Sequence, residues 1–261
     1  MAGDRPDPVH GAAARASVHR ALGDPHRLAI VDLLVRGDRT PSELATALDL
    51  PSNLVAFHLR ELEAVGVVAR RRSEGDARRR YVRLAADEVA GVPLRPTDDP
   101  APRPLRVLFV CTANQARSPL AAALWRALTG GPAESAGTRP ADAPHPLAAA
   151  AAASRGLVLD PEGPRGIDAV AERPDLVVSV CDRAREEGLP ALAPSLHWSI
   201  PDPVPHGAAA VAEAVRELEA RVRRLGLLAP PIDPAVERSV VPTVPSTDHE
   251  ARGPRGRRSA R

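Results

Sequence analysis

A short apolar run, Val107-Leu-Phe-Val110, leads into Cys111, with Arg117 six positions later and Pro119, Leu120, Leu124 and Leu128 beyond it. The run is what a strand buried on both faces of a parallel sheet shows, and the leucines at helical spacing behind a first-turn proline mark an amphipathic helix. Five residues, Thr112, Ala113, Asn114, Gln115 and Ala116, are left to connect them. So short a connection wraps its backbone N–H groups around one point, and the helix N-terminus adds partial positive charge there. The expected occupant is an anion, in a field that favours the thiolate form of Cys111. Ser118 can hydrogen-bond that sulfur. Arg117 supplies the planar fork that matches two oxygens of a tetrahedral oxyanion.

The Cys-x5-Arg-Ser loop, with Val-Leu-Phe-Val before it and Pro119 after it, resembles the low-molecular-weight protein tyrosine phosphatases and the thioredoxin-type arsenate reductases that share their fold. Ser135-Ala136-Gly137-Thr138 and Asp202-Pro203 fall where that family carries its Ser-Ala-Gly-Thr segment and its catalytic aspartate. The resemblance implies that Cys111 is the nucleophile and that Arg117 binds the oxyanion with the amides of residues 112–117. Ser118 and Asn114 would support the loop, and Asp202 would be the acid. It also implies a phosphate- or arsenate-type ligand. Cys181, in Val-Val-Ser-Val-Cys-Asp-Arg, stands where the reductases carry a second cysteine, but Glu187 and Gly188 occupy the place of their third. Either Cys181 pairs with Cys111, or an external thiol or redoxin completes the cycle. The tyrosines with which the phosphatases wall an aromatic substrate are replaced by Val204-Pro205-His206. No bound cofactor is implied, and no residue is assigned to a metal.

From Arg106 to about Gly226 the expected order is strand, helix, a strand at Glu134–Gly137, an Ala-rich helix over Pro146–Arg155, strands at Asp175–Cys181 and Ser195–Ile200, and a long last helix. That helix carries Val211, Val215, Leu218, Val222 and Leu225 in register and is expected to stop at Gly226. Alternating strands and helices give a parallel sheet between helices, with ligands at the carboxyl ends of its strands. The resemblance makes this a three-layer α/β phosphatase-I-like domain with a four-stranded parallel sheet.

The N-terminal third reads differently. Two helices fit residues 15–35, broken at Gly23-Asp24-Pro25. Thr40-Pro41-Ser42-Glu43 has the pattern of an N-cap, a first-position proline and a capping-box glutamate. After Asp49-Leu50-Pro51, a further helix places Val55, Leu59, Leu62 and Val65 on one face and ends at Gly66, so two short helices meet at a tight turn. Strands over Val67–Arg72 and Arg78–Leu84 follow, completing a winged helix-turn-helix. Seven arginines between positions 70 and 83 oppose only Glu74 and Asp76, a concentration suited to the DNA phosphate backbone, and Arg70, Arg71, Arg78 and Arg79 are the expected contacts. Base readout would fall to Ser52, Asn53, Ala56, Phe57 and Arg60 on the exposed side of the second helix of the motif.

From Ala21-Leu-Gly-Asp-Pro-His-Arg27 through Phe57-His58-Leu59-Arg60-Glu-Leu62 to Gly66-Val67-Val68, the segment resembles the ArsR-type winged-helix repressors. This implies a homodimer on double-stranded DNA. The cysteine motif by which many members sense soft metals would fall at Glu43–Asp49, where no cysteine occurs.

The expected organisation is a winged-helix domain over 15–90, a stiff Pro-rich linker over 91–104, the α/β domain over 105–229, and a disordered basic tail over 230–261. Two cysteines in 261 residues are no disulfide framework. With no membrane-length apolar run and a polar Met1–His10, they point to the cytoplasm. Three functions are compatible with these residues: a DNA-binding regulator fused to an arsenate reductase, a regulator that only senses the oxyanion, and a phosphatase acting on phosphoesters.

Overall fold

The computed structural model describes residues 8–85 and 105–228. The expected linker and tail lie outside the described residues.

Helices α1 (Pro8–Leu22), α2 (Pro25–Arg36), α3 (Pro41–Leu48) and α4 (Ser52–Ala64) precede the hairpin of β1 (Val68–Arg72) and β2 (Arg80–Leu84). Local chemistry sets their boundaries. Asp24 Oδ1 accepts the amides of His26 and Arg27 at 2.9 and 3.0 Å and starts α2. At α3 the capping box closes in both directions: Glu43 N–H donates to Thr40 Oγ1, and Thr40 N–H donates to Glu43 Oε2. Asp49, in the left-handed region at φ 51°, ends α3 and sets up the turn into α4. Val55, Leu59 and Leu62 of α4 then close on Ile30, Val31, Leu34 and Leu44, forming one apolar core beneath the hairpin. In the hairpin Arg71 lies opposite Tyr81, and Arg39 bridges to Val82.

The second domain contains β3 (Val107–Cys111), α5 (Arg117–Thr129), β4 (Ala133–Gly137), α6 (Pro146–Ala153), β5 (Leu176–Ser179), α7 (Asp182–Glu187), β6 (Ser195–His197) and α8 (Gly207–Leu228). The four strands form a fully parallel sheet in the order β4-β3-β5-β6. Every residue of β3 and β5 is buried, as their uninterrupted apolar character requires. Helix α5 packs on β3, β4 and α8, and α7 lies against β3 and β5.

Several expectations change, beginning with β5, which stops at Ser179 and leaves Cys181 as the cap of α7. Strand β6 ends at His197, and Asp182–Glu187 forms a helix the sequence did not announce, because six residues rich in charge carry no apolar period. Helix α8 runs through Gly226 to Leu228. A Cβ on that glycine would come within 2.9 Å of Thr129 Cγ2, so Gly226 permits the approach of α8 to α5 and does not terminate the helix.

The two domains are pressed together. Arg221 of α8 makes a bidentate contact with Asp38 of the first domain at 2.8 and 3.0 Å, both side chains being almost fully buried. Asp38 also accepts the amide of Ser199, its own amide reaches the His197 carbonyl, and Trp198 Nε1 donates to the Arg36 carbonyl. Gly37 permits close backbone approach between them, since a Cβ there would stand 2.8 Å from the His197 carbonyl oxygen.

Candidate active site

The turn between β3 and α5 is held from outside. The carbonyls of Cys111, Thr112, Ala113 and Gln115 accept the amides of Thr138, Arg139, Ala141 and His145. In each of these peptide planes the N–H opposes the C=O, so the amides of residues 112, 113, 114 and 116 turn inward. Asn114 N–H accordingly reaches Cys111 Sγ at 3.2 Å. Asn114 itself has φ 50°, a left-handed conformation that asparagine tolerates. Its amide group donates to Ser118 Oγ at 2.9 Å, and its side-chain oxygen accepts Arg165 N–H at 2.9 Å. Ser118 Oγ lies 3.0 Å from Cys111 Sγ. Gly137 is required where β4 passes the loop, since a Cβ there would meet the Thr112 carbonyl at 2.6 Å. The Ser-Ala-Gly-Thr segment thus supports the cysteine loop by close backbone approach.

Arg117, nearly buried, donates to the Ile200 carbonyl at 2.9 Å and lies 3.5 Å from Asp202 Oδ1 and 3.4 Å from Glu74 Oε2. Burial works against its charge, but the sulfurs of Cys181 and Cys111 and the carboxylates of Asp202 and Glu74 outweigh it and hold the guanidinium protonated. A crevice of about 260 Å³ is lined by Cys111, residues 112, 113 and 115–117, Cys181, Arg183, Asp202 and Glu74. Both cysteines are free thiols, and Cys181 Sγ sits 3.2 Å from Thr112 Oγ1. No aromatic ring lines this crevice. A larger cleft of about 540 Å³ opens between the domains beside Arg71, Arg83 and Glu217, but neither cysteine reaches it.

Several residues that shape the site carry no local signal. Glu74 lies at the tip of the hairpin and enters the crevice only through the packing of the two domains. Asp182, at the start of α7, is bonded through Oδ1 to His197 Nε2 at 3.0 Å and through Oδ2 to the amide of Glu74. Burial raises its carboxyl, but these bonds prevail and hold it below the usual range. Tyr81, the single tyrosine, packs its ring at a tilt against His197 and donates to Glu186.

On the first domain, Ser52, Asn53, Phe57 and Arg60 form an exposed face of α4, with Ala56 half-buried among them. Arg78 and Arg79 are exposed at the hairpin, and Arg70 is exposed but paired with Glu63. Arg71 corrects the sequence reading: it turns into the domain interface, donating to the Ser199 carbonyl and lying 3.2 Å from Glu217 Oε2. The alternation of β1 gives neighbouring residues opposite faces, and the second domain takes the one that carries Arg71. Alanine at Arg78 and Arg79 is therefore expected to weaken duplex binding and flatten its log–log salt dependence by about 0.9 per lost phosphate contact. Arg71→Ala should leave that slope unchanged; fluorescence anisotropy across a salt series reads both. Asp24, His26 and His58 place ligand atoms within 4.8 Å of one another, a grouping their spacing does not signal, but Asp24 Oδ1 is engaged in capping α2.

Comparison with known proteins assigns the two halves. Residues 106–232 match the low molecular weight phosphotyrosine protein phosphatase family, and residues 22–71 match a helix-turn-helix domain family. The chain thus joins a helix-turn-helix domain to a domain of the low molecular weight phosphotyrosine protein phosphatase type. A curated relative, the HTH-type transcriptional regulator Rv0324 of Mycobacterium tuberculosis, is 36% identical over 75 residues, which are 29% of this chain. The chain spans about a third (32%) of that relative's length. An arsenate reductase from Archaeoglobus fulgidus is 36% identical over 46% of this chain and 98% of its own, with a TM-score of 0.42. The homodimeric winged helix-turn-helix DNA-binding domain Mb0332 from Mycobacterium bovis is 33% identical over 34% of this chain and 81% of its own, with a TM-score of 0.30. No helix among the described residues is long and apolar enough to cross a membrane.

Proposed function

We propose that the protein is a DNA-binding regulator whose second domain reduces arsenate, acting in a cellular response to arsenic. The observation that carries this reading is the pair of free thiols, Cys111 and Cys181, lining one small crevice with Arg117 and no aromatic wall. Phosphotyrosine hydrolysis needs a slot for a ring. Arsenate reduction needs a nucleophilic sulfur, an oxyanion clamp and a second thiol.

In this mechanism the inward amides and Arg117 bind the arsenate oxygens. Cys111 sulfur attacks arsenic, an S–As bond forms, and one oxygen leaves as water after taking a proton from Asp202. Ser118 and the Asn114 amide hold the sulfur in line. Cys181 thiolate then attacks Cys111 sulfur. An S–S bond forms, the S–As bond breaks with its electron pair passing to arsenic, and arsenite leaves with arsenic reduced from the +5 to the +3 state. The disulfide is returned to two thiols by an external dithiol, a redoxin or a small-molecule donor. The first domain, through the exposed face of α4 and through Arg78 and Arg79, binds double-stranded DNA, as a homodimer in the manner of the regulators it resembles.

The test is arsenate-dependent oxidation of thioredoxin, run beside hydrolysis of p-nitrophenyl phosphate. Wild type is expected to turn over arsenate with little hydrolysis. Cys181→Ser should stop after a single covalent adduct, visible as an arsenic-bearing mass on Cys111. Efficient ester hydrolysis with no arsenate turnover would make the domain a phosphatase, and binding without either activity would make it a sensor.

A further inference from the structure

The hairpin of the first domain reaches into the crevice of the second. At its tip, Glu74 places Oε1 and Oε2 at 2.9 and 2.8 Å from the backbone nitrogen of Asp202, and Oε2 3.4 Å from Arg117. Its own amide donates to Asp182 at 2.9 Å. The same tip is anchored on α7: Ser73 Oγ donates to Glu186 at 2.7 Å, the Asp76 amide donates to the other oxygen of that carboxylate, and Tyr81 bonds it from the next strand. Gly75 allows this seating, since a Cβ there would fall 2.1 Å from Glu186 Oε2. A planar carboxylate thus already occupies one side of the guanidinium that a tetrahedral oxyanion would use, and it lines the crevice beside Cys111. Two anions sharing those donors would repel one another.

We propose that Glu74 is an internal ligand of the oxyanion loop, so that a tetrahedral dianion binds by displacing this carboxylate from Arg117 and thereby loosens the hairpin from the second domain. The inference rests on the oxyanion-site and DNA-binding readings above and adds the link between them: occupancy of the crevice is transmitted to the hairpin expected to face DNA. Residues 73–76 cannot be seated on α7 and enter a DNA groove at the same time.

Inorganic phosphate serves as the probe, with the full chain. Calorimetric titration of Glu74→Gln, which keeps the size and removes the charge, is expected to show phosphate binding at least about fivefold tighter than wild type, the low end of ordinary coupling between sites. Independently of any variant, saturating phosphate should speed hydrogen exchange of the wild-type amides in residues 73–77. Equal affinities of the two proteins, or unchanged or slower exchange at the hairpin, would overturn the inference while leaving the oxyanion site intact. Absence of phosphate binding to either protein would instead remove the oxyanion reading and this inference with it.

Discussion

Cys111→Ser is expected to abolish arsenate-dependent thiol oxidation, with turnover reduced to the background of the reductant alone. The serine hydroxyl fits the space of the thiol and keeps a partner in Ser118 Oγ, so the loop should stay folded. The variant should still bind phosphate with an affinity near that of wild type. That combination, lost turnover with retained binding, separates chemistry from folding, because the amides and Arg117 that hold the anion do not depend on sulfur. The reaction does depend on it: an alkoxide forms far less readily than a thiolate near neutral pH, and an oxygen cannot accept the second thiol in a disulfide. Residual turnover at a substantial fraction of the wild-type rate would mean that Cys111 is not the attacking group.

Arg221→Ala is expected to produce the largest loss of stability, about 3–5 kcal/mol, seen as a fall in melting temperature on the order of 10 °C. The reason is the position of Asp38. Its carboxylate is buried against the second domain and receives both arms of the Arg221 guanidinium, which is itself held protonated against burial by Asp38 and Glu217. Removing the arginine leaves a carboxylate shut away from water with one backbone amide, that of Ser199, still bonded to it. Differential scanning calorimetry on the full chain measures the effect. The loss should fall on the junction of the two domains, so Arg221→Ala should also expose the hairpin to hydrogen exchange. A shift no larger than that of a surface substitution would show that the pair is not what locks the domains together.

The cysteine loop was legible because its information is contiguous: a buried strand, a five-residue turn and a helix with proline in its first turn follow one another without a break from Val107 to Thr129. The capping box at Thr40 and Glu43 and the apolar face of α4 were legible for the same reason. Helix α7 was not, since its six charged and small residues take their conformation from their seat beside β3 and β5. Gly226 misled because a glycine at a helix end and a glycine at a helix crossing look alike in one dimension. The arginines of the hairpin misled in another way. Their number announced a basic surface, but which of them face outward depends on what covers the strand, and Arg71 proves to be covered.

The sequence by itself determined the two domain types and the chemistry-bearing loop, because both depend on residues close enough along the chain to interact before any tertiary contact exists. Only the tertiary structure decided that Glu74 enters the crevice, that Arg71 belongs to an interface and that Asp38 meets Arg221 across 183 positions of chain. Those pairings join side chains whose spacing carries no period, and they arise from the docking of two independently specified surfaces.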